Sequence, residues 1–163
     1  MEIRAKKSIV LDNYDAVKEK ALRLLEFRSH SEFELKEKLN HFGAKSEDIE
    51  KTFEFLHEYH LTDDRIYASR LANDLSHIKK FGKHRIKAEL ARRGIGRDII
   101  SDVLEEIETD EGEQLLPLME KKLSGDFDRK NRDRAFRYFA ARGYSFDDIK
   151  RAFDEISSEA YDD

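Results

Sequence analysis

Residues 82–107 read GKHRIKAELARRGIGRDIISDVLEEI, and two other stretches align with them without a gap. Residues 31–56 read SEFELKEKLNHFGAKSEDIEKTFEFL, and residues 131–156 read NRDRAFRYFAARGYSFDDIKRAFDEI. The first two registers differ by 51 positions and the last two by 49. Self-similarity at such a period marks a repeat architecture. Ser31, Gly82 and Asn131 open the three stretches, and all three residue types suit a helix N-cap. Glu34, three residues after Ser31, predicts a capping box. Leu35, Ile86 and Ala135, with Leu39, Leu90 and Phe139 four positions later, line one helix face. Gly43, Gly94 and Gly143 then fall where a left-handed residue ends a helix. Ile49, Ile100 and Ile149 begin the next apolar stripe, which Phe53, Leu104 and Phe153 and then Leu56, Ile107 and Ile156 continue.

Each stretch therefore reads as helix, glycine turn, helix, and a further helical pattern precedes each one. Val17, Ala21, Leu22 and Leu25 form the first of these. Tyr67, Ala68, Leu71, Leu75 and Ile78 form the second, and Leu115, Leu116, Met119 and Leu123 the third. The prediction is an all-α fold of about nine helices, three tandem three-helix repeats stacked into an elongated, curved array. The boundaries are an N-terminal extension at 1–14, repeats at 15–61, 62–110 and 111–158, and an acidic tail at 159–163. A unit of about 50 residues buries too little apolar surface to be stable alone, so stacked neighbours must supply the rest. No stretch alternates as a strand should, and KSIVLDNY at 7–14 reads as a short extended arm.

The totals fit this picture. The chain has 163 residues, 41% of them charged and 39% apolar, with Pro117 its single proline. It contains no cysteine, which excludes disulfides and thiolate metal sites. No apolar run approaches the roughly 20 residues that span a bilayer, so the expectation is a soluble cytoplasmic protein with no membrane partner, and a monomer because the units can cover one another.

Charge is distributed unevenly. Thirty-one Lys and Arg face 36 Asp and Glu, a net −5. Yet Lys79, Lys80, Lys83, Arg85, Lys87, Arg92, Arg93 and Arg97 stand against Glu89 alone, a local +7. Arg129, Lys130, Arg132, Arg134, Arg137 and Arg142 stand against Asp133, a local +5, so the rest of the chain carries −17. The repeat acts as an internal control. Glu32 and Glu34 occupy the positions of Lys83 and Arg85, and of Arg132 and Arg134. Helix formation does not require those cations. Salt links such as Arg85–Glu89 contribute only about 0.2–0.5 kcal/mol each, and crowded like charges repel. The fourteen cations are thus candidates for binding an anionic partner, either nucleic acid phosphate or an acidic protein surface. Phe136 and Tyr138 interleave with them where the sister repeats hold Lys or Glu. They would stack on bases or dock on a protein, or else pack on a neighbouring helix.

Catalytic patterns are missing. GIGRDI at 94–99 lacks a third glycine and follows a helix, so it fails the dinucleotide fingerprint. His57 and His60 have no companions for a zinc site. Asp63–Asp64 and Asp147–Asp148 fall at helix starts, where they complement the helix dipole. The expectation is a binding protein with no catalytic residue, cofactor or metal.

In order and spacing, RSHSEFELKEKL, DDRIYASRL, KFGKHRIKAELARRGI and RAFRYFAARGYSFDDIKRAF resemble the bacterial RecX family over residues 16–156. The most specific element is Asp63, Asp64, Tyr67 and Ala68 leading on to Lys80, Gly82, Arg85, Ile86, Glu89, Leu90, Gly94 and Ile95. That resemblance implies a regulator of the RecA recombinase. Such a protein binds the RecA filament along its groove and restrains filament growth, ATP hydrolysis and strand exchange, and it contacts DNA. Two departures stand out: Tyr67 where the family often has Phe, and a first repeat that is acidic where its sisters are basic. The reading from another class is a stand-alone helix-turn-helix nucleic-acid-binding protein. The acids Glu47, Asp48, Asp147 and Asp148 at two of its helix starts weigh against that.

Overall fold

The computed structural model describes residues 10–162, and among them every regular element is helical. In chain order these are α1 (Tyr14–Phe27), α2 (Glu32–His41), α3 (Ser46–Glu58), α4 (Asp64–Asn73), α5 (Lys83–Arg92), α6 (Arg97–Glu105), α7 (Glu111–Leu123), α8 (Arg129–Ala141) and α9 (Phe146–Asp162). A π-helical turn, Asp74–Ile78, extends α4. Among the described residues no helix is long and apolar enough to cross a membrane.

The chain divides into two compact units. One holds the described residues up to Tyr67 together with Arg93–Ile95, and the other holds Ala68–Arg92 and everything from Gly96 onward.

In the first unit α1 packs on α3 and α2 lies against both. Its core is Leu11, Val17, Ala21, Leu35, Leu39, Ile49, Phe53 and Leu56. Leu11 belongs to the expected extended arm; it is buried, and the described part of that arm forms no strand. Asn13 caps α1 by accepting from Ala16 N–H. The predicted capping box is present, with Ser31 accepting from Glu34 N–H and Glu34 accepting from Ser31 N–H. Ser31 Oγ also donates to the Arg93 carbonyl at 2.6 Å. Asp64 accepts from Glu32 N–H at 2.9 Å. The Tyr67 hydroxyl donates to Glu34 at 3.2 Å, which gives the extra oxygen of Tyr67 a structural task. Burial pushes Glu34 upward, but bonds from Ser31 N–H, Arg28 and Tyr67 outweigh it and hold its carboxyl below the usual range. The Phe33 side chain lies against Gly94, and a Cβ there would fall 2.9 Å from Phe33 Cδ1.

In the second unit α7 packs on α9, and α8 closes over both. Leu115, Met119, Leu123, Ala135, Phe139, Tyr144, Ile149 and Ala152 form the core. Ala68, Ala72, Leu75, Ile86, Leu90, Ile100, Val103 and Ile107 are buried on α4–α6 and their flanks. Asn131 departs from the expectation. It is not a cap, because Asp128 starts α8 earlier by accepting from Asn131 N–H at 2.6 Å. The Asn131 amide instead donates to the carbonyls of Leu123 and Asp126. The Asn131 N–H is itself one of the orphan donors of α8, and Asp128 satisfies it.

Candidate anionic-partner surface

All of the predicted cations except Arg93 lie in the second unit. Arg93 is half-buried in the first unit, where its carbonyl accepts from Ser31. In the second unit the two basic stretches meet backbone to backbone. Gly82 N–H donates to the Arg142 carbonyl at 2.9 Å, and His84 N–H to the Gly143 carbonyl at 3.2 Å. A Cβ on Gly82 would sit 2.5 Å from Gly143 C and 2.6 Å from Tyr144 N, so only glycine permits this approach. Gly143 also has φ +97, a conformation that other residues rarely adopt.

The loop before α5 is fixed from several sides. Phe81 N–H donates to the carbonyl of Leu75, within the π-helical turn, at 2.9 Å. The Tyr144 hydroxyl donates to the Lys80 carbonyl at 2.8 Å, and the Arg142 guanidinium donates to the Lys79 carbonyl. Lys80 is held at φ +56. A carboxylate oxygen of Glu111 accepts from Lys83 N–H and so satisfies an orphan donor of α5. Burial pushes the Glu111 carboxyl above its ordinary value, and the Lys83 bond only partly offsets this.

The junction carries an aromatic and cationic cluster. The Arg142 guanidinium lies 4.9 Å from the Phe81 ring centroid and 5.3 Å from that of Tyr138. Arg85 approaches Phe81 at 5.3 Å, and Lys122 lies over Tyr138 at 4.0 Å. The two aromatics read together in the sequence part company here. Phe136 is half-buried and packs edge-on against Phe146 and Phe153. Tyr138 keeps 41% of its surface exposed.

Ion pairing sorts the cations further. Buried Glu89 binds Arg85 at 3.0 Å and Arg92 at 2.6 Å. Asp133 lies 3.9 Å from Arg129 and 3.3 Å from Arg132. Among the described residues, Lys79, Lys80, Lys83, Lys87, Arg97, Lys130, Arg134 and Arg137 make no ion pair. Lys83, Lys87 and Arg97 border a cleft of about 610 Å³ between α5 and α6. Arg129, Lys130 and Arg137 border a shallower recess of about 400 Å³ on α8. Apart from Arg92, which pairs with Glu89, and Arg93 in the first unit, the cations fall into three groups, at the junction, along the cleft and on α8. Their acidic counterparts Glu32 and Glu34 in the first unit are engaged locally. Glu32 binds His57 at 2.5 Å and Thr62 at 3.2 Å. Among the described residues no three His, Asp or Glu side chains gather to hold a metal ion.

Phe81, Lys122 and Glu111 were not singled out from the sequence. Phe81 had a signal, an aromatic between a lysine pair and a glycine. Glu111 had none, since it lies 28 positions from the N–H that it accepts.

Models of the first and second three-helix domains of RecX match residues 18–56 and 63–104. The regulatory protein RecX of Clostridium botulinum is 32% identical, over 98% of this chain and 79% of that protein. The Pseudomonas fluorescens protein of the same name is 35% identical, over 94% of this chain and 98% of that one. A crystal structure of RecX from Lactobacillus salivarius matches with a TM-score of 0.79 at 24% identity, over 90% of this chain and 97% of that one. A three-helix repeat order, a matched fold and this degree of identity agree: the chain belongs to the RecX family of regulatory proteins.

Proposed function

We propose that this chain regulates the RecA recombinase by binding the groove of its DNA filament as a monomer. Binding inhibits or modulates filament growth, ATP hydrolysis and strand exchange. The chain acts by binding rather than by catalysis. The observation that carries this reading is the junction at Gly82 and Gly143, which holds two cationic stretches of an acidic protein in one compact unit. Clustered like charge has a cost that an anionic partner offsets. Lys79, Lys80, Lys83 and Lys87 on one side, and Lys130, Arg134 and Arg137 on the other, meet phosphates of the enclosed single strand and acidic recombinase surface. Several modest contacts on one compact unit reinforce one another through effective concentration.

The test is a titration against bare single-stranded DNA, RecA alone and assembled RecA–DNA filaments at several salt concentrations. The expected result is a marked preference for filaments, with their ATP turnover reduced. Equal affinity for bare DNA, with a log–log salt slope near −0.7 to −0.9 per phosphate contacted, would favour a stand-alone nucleic-acid binder. The acids Glu47, Asp48, Asp147 and Asp148 in the first turns of α3 and α9 count against that outcome, since they would face the phosphates with negative charge.

A further inference from the structure

Phenylalanine rings pack between the second and third helices in two repeats and not in the middle one. In the first, Lys36 lies over the ring of buried Phe53 at 4.6 Å. In the third, Phe136 packs against Phe146 and Phe153 with centroids 5.7 and 5.8 Å apart. The middle repeat has Lys87, Arg97 and Leu104 at the positions of Phe136, Phe146 and Phe153. No aromatic ring lines its cleft, and a volume of about 610 Å³ is left. That lies within the range of ligand-binding pockets, roughly 300–1,000 Å³. Ala91, Ile100 and Leu104 supply apolar walls, while Lys83, Lys87 and Arg97 border them; Ser101 and Glu105 complete the lining.

We infer that this cleft captures a protein segment presenting one phenyl-sized apolar side chain flanked by carboxylates. The sister repeats indicate the anchor, because each places a phenylalanine, Phe53 or Phe153, at the position of Leu104. The border indicates the flanks, since three cations without ion pairs among the described residues outnumber one Glu. Nucleic acid is the poorer fit, because bases bind by stacking on aromatic faces and this cleft has none. The aromatic faces lie instead at Phe81 and Tyr138, beside Arg142. Protein contact and strand contact therefore use different parts of the second unit. The inference rests on the reading above only in taking the recombinase as the source of the segment.

The first probe is an acidic pentapeptide with a central phenylalanine, followed by backbone and methyl NMR of the full chain. Shifts are expected at Ala91, Ile100 and Leu104, weakened on the order of tenfold or more when the peptide carries alanine instead. Leu104→Phe, which copies the sister repeats, should close the cleft and abolish the shifts, and Lys87→Glu should weaken them. Leu104→Phe, which leaves every cation in place, should bind single-stranded DNA within about twofold of wild type at a fixed salt concentration. Binding to DNA-free RecA should fall on the order of tenfold in both variants. A peptide that fails to bind, or that binds Leu104→Phe as well as wild type, overturns the inference. So does unchanged recombinase affinity in both variants. Peptide capture in the cleft by a wild-type chain that ignores RecA would support the cleft and defeat the functional reading.

Discussion

Replacing Gly82 by alanine tests how tightly the two cationic stretches are locked together. The new Cβ would lie 2.5 Å from Gly143 C and 2.6 Å from Tyr144 N, with the Gly143 oxygen nearer still. These are backbone atoms and cannot rotate away. Restoring ordinary contact requires the loop and the α8–α9 turn to part by roughly 1 Å, a shift of the kind that overpacking enforces at about 1–3 kcal/mol. That movement breaks the Gly82–Arg142 and His84–Gly143 hydrogen bonds of 2.9 and 3.2 Å, each with a net contribution of about 0.5–1.5 kcal/mol. The expected loss is therefore about 2–6 kcal/mol, read from urea unfolding followed by circular dichroism. Gly96→Ala is the control. Gly96 has φ −64 and open space around its Cα; alanine gains in the unfolded state but is a poorer N-cap for α6, so the net change should stay within about 1 kcal/mol. Equal midpoints for the two variants would refute the interlocked junction.

Two carboxylates should respond to pH with opposite sign. Glu111 has a raised value in the folded state because it is buried. Its contribution is present below the ordinary carboxylate range and is lost as pH rises through the folded value, so Glu111→Gln should gain on wild type over that interval. Glu34 is held low by its hydrogen bonds despite burial. Its contribution is present above the ordinary range and is lost as pH falls through the folded value, so the deficit of Glu34→Gln should shrink on acidification. Thermal unfolding from pH 3 to 8 checks both, and parallel curves would contradict the assignment. Leu90 is fully buried, and Leu90→Ala should cost about 2–5 kcal/mol in urea unfolding. Tyr138→Ala should weaken single-strand binding by about 1–3 kcal/mol in a fluorescence titration. An unchanged affinity would remove Tyr138 from the strand contact.

The fold was legible where its signals are local. Leu39, Leu90 and Phe139 occupy equivalent positions, and all three are buried. Gly43, Gly94 and Gly143 all take positive φ at helix ends. The start of α8 was misplaced by the apparent equivalence of Asn131 to Ser31, because Asp128 competes for the same orphan N–H groups and is not part of the repeat. The candidate site was legible as charge but not as geometry. Gly82 and Gly143 are 61 positions apart, and nothing in either local sequence announces that their backbones touch. Ion pairing was partly hidden too. Glu89 reads as one acid among eight cations, yet burial between Arg85 and Arg92 makes it a partner for both. Arg85 is therefore a poor probe of binding, since reversing it would place a second carboxylate beside a buried one. Phe136 and Tyr138 alternate with arginines identically in sequence, and only the helix face decides that one packs inward and the other stays exposed.

The most direct test of a binding surface made from two basic stretches is the filament affinity of charge-reversed variants, measured against salt concentration. One variant carries Lys80→Glu and Lys83→Glu, a second Arg134→Glu and Arg137→Glu, and a third all four changes. None of these side chains makes an ion pair among the described residues, so helix content should match wild type by circular dichroism. The account predicts that each pair weakens filament binding on the order of tenfold or more and flattens the salt dependence, with the fourfold variant weakest. Filament affinity and salt slope that stay at wild-type values in the fourfold variant would contradict it.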